Sequence, residues 1–184
     1  MFVHHGILFS ALVAASTLYI CAACPKINGY GARKPTSTTA HKVPTDTVII
    51  RGGNGFYCSS MFNCPTTIYE MQKNHIKVKN LDDIDCNMVV GGDGFVYRGR
   101  GWDVATNSFP ASQVICVLEN RNVATIPDSF QQQAITEILR CGVTKSKLAA
   151  SYTVQTPRDL NSTSEDPIQS LYEWVKKMDR YAEP

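Results

Sequence analysis

Histidine is scarce in this chain. Of its 184 residues four are histidine, and His4 and His5 precede an N-terminal apolar run, so the body of the chain holds only His41 and His75. That excludes a centre built from many imidazoles. His75 falls on a helical face, where a lone imidazole reads as a core or boundary residue, and His41 falls in an irregular segment, so their spacing gives no reason for them to converge. A metal site would have to draw on Cys86, Cys116 and an acidic residue instead. Charge of one sign is also lacking. With 18% charged residues and a formal net charge of +2, the chain has no strongly basic character and gives no argument for a nucleic-acid partner. Internal repeats and low-complexity tracts are absent, which excludes solenoid and disordered classes.

The one long apolar run, residues 7–20, is followed by Cys21-Ala22-Ala23, the pattern of a secretory signal over residues 1–23 with cleavage near Ala23. The alternative is a marginally long membrane anchor, but Lys26, Arg33 and Lys34 follow the run, and positive charge there disfavours export of the domain behind an uncleaved anchor. The expectation is a secreted, extracellular protein whose remainder, residues 24–184, has the size of one domain. Seven cysteines fit an oxidising compartment. Cys58 and Cys64 flank a loop short enough for its ends to meet, whereas Cys86 and Cys116 either bond, if their strands are adjacent, or remain buried thiols.

Around Gly91-Gly92-Asp93-Gly94 lie two β-prone runs, residues 87–90 and 95–97, which predict a hairpin. The second run continues into Arg98-Gly99-Arg100-Gly101-Trp102, placing a guanidinium and an indole beyond the sheet as a candidate ligand-facing pair. Residues 25–46 read as an irregular arm. Residues 47–50 read as a buried strand broken by Arg51-Gly52-Gly53-Asn54-Gly55, and residues 113–118 as a second buried strand. Asn63 is a candidate N-cap for a helix to about Ile76, with Cys64, Ile68, Met71 and His75 inward. Asp128 and Gln131 form a capping box ahead of a helix that buries Ala134, Ile135, Ile138 and Leu139 and ends at Gly142. A short strand over 152–155 precedes the sequon at Asn161. Asp166 caps a last helix, with Pro167 at its first turn and Ile168, Leu171, Tyr172 and Val175 inward. The sum is an α/β single domain with a central mixed β-sheet flanked by three helices.

The hairpin with its Arg98-Gly99-Arg100-Gly101-Trp102 tail, the stretch Asn28-Gly29-Tyr30-Gly31-Ala32-Arg33-Lys34-Pro35, the strand at 47–50 and the Cys58/Cys64 pair together resemble the peptidoglycan recognition proteins, relatives of the phage-type N-acetylmuramoyl-L-alanine amidases. The resemblance runs from about Cys24 to Tyr181. It implies the amidase-like fold and disulfides Cys58–Cys64 and Cys24–Cys141. Enzymes of the family hold Zn²⁺ with two imidazoles and a thiolate and activate water beside a tyrosine. Carried over position by position, the first imidazole becomes Arg51, the second Pro157, the thiolate Glu165 or Asp166, and the tyrosine Cys86. A guanidinium repels a cation and proline offers no donor. The resemblance therefore implies a non-catalytic member with no zinc cofactor, acting as a pattern-recognition or regulatory protein of innate immunity. Its implied partners are peptidoglycan, muropeptide, or another recognition or signalling protein. A zinc amidase with a rearranged site, or an interaction module that binds no glycan, are the alternatives. For binding, the resemblance points to Arg100, to Trp102 and to the preference pair Asn80-Leu81, while the segment 103–112 is shorter than the family's groove wall.

Overall fold

The strand expected over 47–50 is the first half of a longer one. In the computed structural model, which describes residues 24–160 and 168–183, β2 spans Thr45–Tyr57 and runs straight through the glycine-rich stretch expected to break it. Gly53 serves close packing: a Cβ there would lie 2.5 Å from Leu118 Cδ2. Pairing with the neighbouring strand resumes at Tyr57 after a register shift. The sequon Asn161 and the positions Glu165 and Asp166, like the signal expected at 1–23, lie outside the described residues.

Six strands form one mixed sheet in the order β1-β4-β3-β5-β2-β6. They are β1 (Ile27–Asn28), β2, β3 (Met88–Val90), β4 (Val96–Arg98), β5 (Gln113–Glu119) and β6 (Leu148–Gln155). The predicted hairpin is present, with β3 and β4 antiparallel and Val89 opposite Tyr97, and every other pairing is parallel. Asp93 shapes the turn by accepting from Phe95 N at 3.1 Å and from the Tyr97 hydroxyl at 2.7 Å. The arm is less irregular than its composition suggests, because β1 pairs with β4 and closes the sheet edge.

Side-chain alternation along β2 and β5 divides the core into two layers. Val48, Ile50, Ile115 and Val117 face α2 (Ser129–Thr144) and α4 (Gln169–Val175). Ile49, Val114, Cys116 and Leu118 face the other way, with Ile68 and Met71 of α1 (Cys64–Lys77) and with Tyr30 of the arm. The capping box is as expected: Gln131 N donates to Asp128 Oδ1 at 2.9 Å, and Asp128 N to Gln131 Oε1 at 3.1 Å. The Gln131 amide also donates to Gly91 O and Leu118 O, so one buried side chain ties the helix start to the hairpin and to β5.

Four local expectations need correcting. Asn63 does not cap α1 with its side chain; its Oδ1 accepts from Ser59 N and Ser60 N, closing the disulfide loop. Helix α2 passes Gly142 and ends at Thr144. The last helix starts at Gln169 behind Ile168, not behind Asp166. The four-residue α3 (Pro157–Leu160) brings the helices to four among the described residues. Ile168, Leu171 and Val175 are buried as expected, while Tyr172 is half-buried.

Among the described residues, three disulfides are formed. Cys24–Cys141 and Cys58–Cys64 are the expected pairs, and Cys86–Cys116 closes the open question in favour of a bond, because β3 and β5 are adjacent. No helix among the described residues is long and apolar enough to cross a membrane. The Cys24–Cys141 bond spans 117 residues, so it removes much chain entropy from the unfolded state. The variant Cys24→Ser/Cys141→Ser is expected to lose about 2–5 kcal/mol in denaturant unfolding, with native-like circular dichroism in water.

Candidate functional site

Arg51 sits in β2 opposite Cys116 of β5, on the sheet face covered by α1. Its Nη2 donates to Asp85 O at 2.9 Å and lies 3.4 Å from Asp85 Oδ2, and its Nε is 3.4 Å from Cys116 Sγ. Both partners of the ion pair are withdrawn from water, with side-chain exposures of 11% and 2%. The other carboxylate oxygen of Asp85 accepts from Asn107 N at 2.8 Å and Ser108 N at 3.2 Å. Asp85 N donates to His75 Nδ1 at 3.0 Å. One connected network therefore holds β2, α1, the segment before β3, the loop at 103–112 and the Cys86–Cys116 disulfide.

The charges in this network are fixed by their surroundings. Burial acts to raise the Asp85 carboxyl, but the Arg51 charge and the hydrogen bonds from Ser108 and Asn107 outweigh it and hold the group below the usual carboxylate range. Burial, with Lys79 and Arg51 nearby, pushes His75 down to about 4, so its ring stays neutral and acts as an acceptor.

Of the positions expected to stand for the family's zinc ligands and its activating tyrosine, Arg51 and Cys86 are brought together, the latter through its bond to Cys116. Pro157 is buried at the start of α3, where Asp159 Oδ2 accepts from the Thr156 amide and hydroxyl. Glu165 and Asp166 lie outside the described residues. These groups do not fit Zn²⁺: a guanidinium occupies the centre, two cysteines are oxidised, and proline has no donor atom. No three His, Cys, Asp or Glu side chains converge into a possible metal-holding set among the described residues.

The residues expected to face a ligand are placed differently from one another. Arg100 is buried, and its Nε and Nη1 donate to Ile84 O and Ala105 O, each at 2.7 Å. Its Nη2 donates to Asp83 O at 3.2 Å and to Asn107 Oδ1. Arg100, expected to meet a ligand carboxylate, here donates to backbone carbonyls and to Asn107. Trp102 is half-buried and packs against the α2 layer, with no protein partner for its Nε1. Asn80 is exposed with φ 53°, and Leu81 N donates to His75 O at 2.9 Å. His41 is buried too, with its Nδ1 2.9 Å from Gln113 Nε2.

Sequence reasoning missed Asp85 and Asn107. The signal for Asp85 lay next to Cys86: an acidic residue there offers a partner for an arginine expected to point into the fold.

Arg51→Ala should cost about 3–5 kcal/mol in urea unfolding, because it strands a buried carboxylate. An Arg51 that merely lined open solvent would cost far less. The pH dependence follows from the signs. His75 takes up its proton near 6.5 when unfolded but only near 4 when folded, so stability falls as pH drops through that window, by up to about 3 kcal/mol. Asp85 contributes stability above its unfolded value that is lost only at still lower pH, as its depressed folded value is crossed. In His75→Asn the slope between pH 6.5 and 4 should flatten, as read by urea midpoints across pH.

No family model matches the chain. It is 33% identical over 138 residues to peptidoglycan-recognition protein SC2 of Drosophila melanogaster, covering 73% of this chain and 74% of that one. To peptidoglycan recognition protein 1 of Rattus norvegicus it is 31% identical over 147 residues, covering 77% and 79%. Among solved structures, it superposes with TM-score 0.76 and 29% identity on a structure of tracheal cytotoxin bound to the ectodomain complex of peptidoglycan recognition proteins LCa and LCx, covering 83% of this chain and 94% of that one. With identity above 30% over about three quarters of the chain, and the same fold as a solved member, the chain belongs to the peptidoglycan recognition protein family.

Proposed function

We propose that this chain is a secreted, non-catalytic peptidoglycan recognition protein, made with a leader at 1–23 and acting through the domain at 24–184 as a pattern-recognition or regulatory protein of innate immunity. The observation that supports this is the buried Arg51–Asp85 pair, which locks a guanidinium, a group that cannot ligate a metal, at the position where the resemblance expects the first imidazole. Water cannot be activated there by a metal, and neither Cys86 nor Pro157 supplies an alternative base.

Peptidoglycan fragments are one partner class and a second recognition protein the other. The solved relative formed by LCa and LCx is an ectodomain pair with tracheal cytotoxin bound, which supports both. A second reading, a protein-interaction module without glycan binding, is favoured by Arg100, whose donors to Ile84, Asp83, Ala105 and Asn107 draw the shortened wall inward.

Retention on insoluble peptidoglycan and calorimetric titration with lysine-type and diaminopimelate-type muropeptides, with zinc present and absent, test the proposal. Saturable binding independent of zinc, with no release of L-alanine-linked peptide, is the expected result. Stoichiometric zinc that a chelator removes together with amidase activity would overturn it. Capture of a protein partner that muropeptide leaves unaffected, without retention on peptidoglycan, would establish the second reading instead.

A further inference from the structure

A cavity of about 300 Å³ opens between the arm and the end of β4, and none of Arg51, His75, Asp85 or the Cys86–Cys116 disulfide lines it. Three guanidinium-bearing residues, Arg33, Arg98 and Arg100, line it against one carboxylate, Asp83. Arg33 and Arg98 are exposed, and among the described residues neither guanidinium has a hydrogen bond or ion pair. Tyr30 also lines the cavity while being only 7% exposed, and its hydroxyl has no protein partner.

The surroundings are built rather than accidental. The fully buried Gln72 clamps the arm by accepting from Arg33 N at 2.7 Å and donating to Arg33 O at 3.0 Å. The same amide donates to Asp83 Oδ1 at 2.6 Å, which also accepts from Ile84 N at 2.6 Å, so much of the acidic group is engaged away from the arginines. Arg100 is fixed by the carbonyls around it and contributes a charge that does not move. The excess of positive charge, two unpaired guanidinium forks and an unused hydroxyl donor describe a receptor for oxygen anions.

We propose that this cavity binds a small oxyanion, a carboxylate or phosphate group, held by the guanidinium groups of Arg33 and Arg98 and by the Tyr30 hydroxyl. Burial and the Asp83 charge both raise the Tyr30 phenol, which keeps it a proton donor at any physiological pH. None of Arg51, His75, Asp85 or the Cys86–Cys116 disulfide lines the site, and the proposal does not rest on muropeptide binding.

Titration of the full secreted chain with inorganic phosphate and, separately, acetate at constant ionic strength tests this, read by the shifts of arginine Nε–H and tyrosine ring NMR signals. At least one of the two anions is expected to bind saturably, and the stronger of them identifies the source chemistry. Arg98→Gln and Arg33→Gln should each weaken binding about tenfold, and Tyr30→Phe a few-fold, because each removes a donor to a charged acceptor. Both arginines are exposed and unpaired in the fold, so thermal unfolding of their variants should match the parent and exclude misfolding as the cause. Absence of saturable binding by either anion, or unchanged affinity in Arg33→Gln/Arg98→Gln, would overturn the proposal.

Discussion

The Arg51–Asp85 ion pair is the constraint from which the site takes its shape. A buried pair gains Coulomb energy but loses hydration, so its net contribution to stability against an apolar replacement is small. Its consequence is geometric. Once Asp85 is buried and charged, every remaining acceptor position on it must be filled, and the amides of Asn107 and Ser108 fill them. Once Arg51 points inward, its surroundings must be carbonyl oxygen, carboxylate and sulfur, which fixes the segment before β3 against β5.

Arg100 obeys the same rule on the neighbouring side. A buried guanidinium needs acceptors for its five N–H groups, and the nearest supply is the backbone of residues 83–84 and 105 with the Asn107 side chain. Asn107 is thus held from two directions, by Asp85 through its amide and by Arg100 through its side-chain oxygen. The segment between Trp102 and β5 is thus fastened to the residues before β3 by both charged side chains.

Much of the framework was legible because local and tertiary preferences agree there. Asp128 and Gln131 sit at the spacing of a capping box, Ile135, Ile138 and Leu139 share one helical stripe, and the turn glycines with Asp93 permit only a tight reversal. What was misread depended on a distant partner. Arm residues Ile27 and Asn28 have no periodicity of their own and become a strand only because β4 offers an open edge. The glycine run in β2 looks like a break until Leu118 is seen to need the space. Asn63 has the residue type of a cap but serves the disulfide loop. In the site, the replacement of ligand-type residues could be read position by position. That Arg51 would be neutralised by Asp85, or Arg100 consumed by carbonyls, could not, because both depend on how loops far apart in sequence meet.

The division of the core explains how such a site could change while the scaffold held. The layer formed by α2 and α4 on Val48, Ile50, Ile115 and Val117 contains none of the groups in the Arg51 network. The opposite layer carries Cys86 and Cys116 beside Ile49, Val114 and Leu118, so polar changes there border an apolar layer that is already complete. Two disulfides, Cys24–Cys141 and Cys58–Cys64, tie down the arm and the loop ahead of α1 independently of the network. A two-layer core and cross-links therefore stabilise the domain independently of the groups around residue 51. With a buried acid at Asp85, a guanidinium is the side chain that restores both the charge and the hydrogen bonds, which ties the identity of residue 51 to that of residue 85.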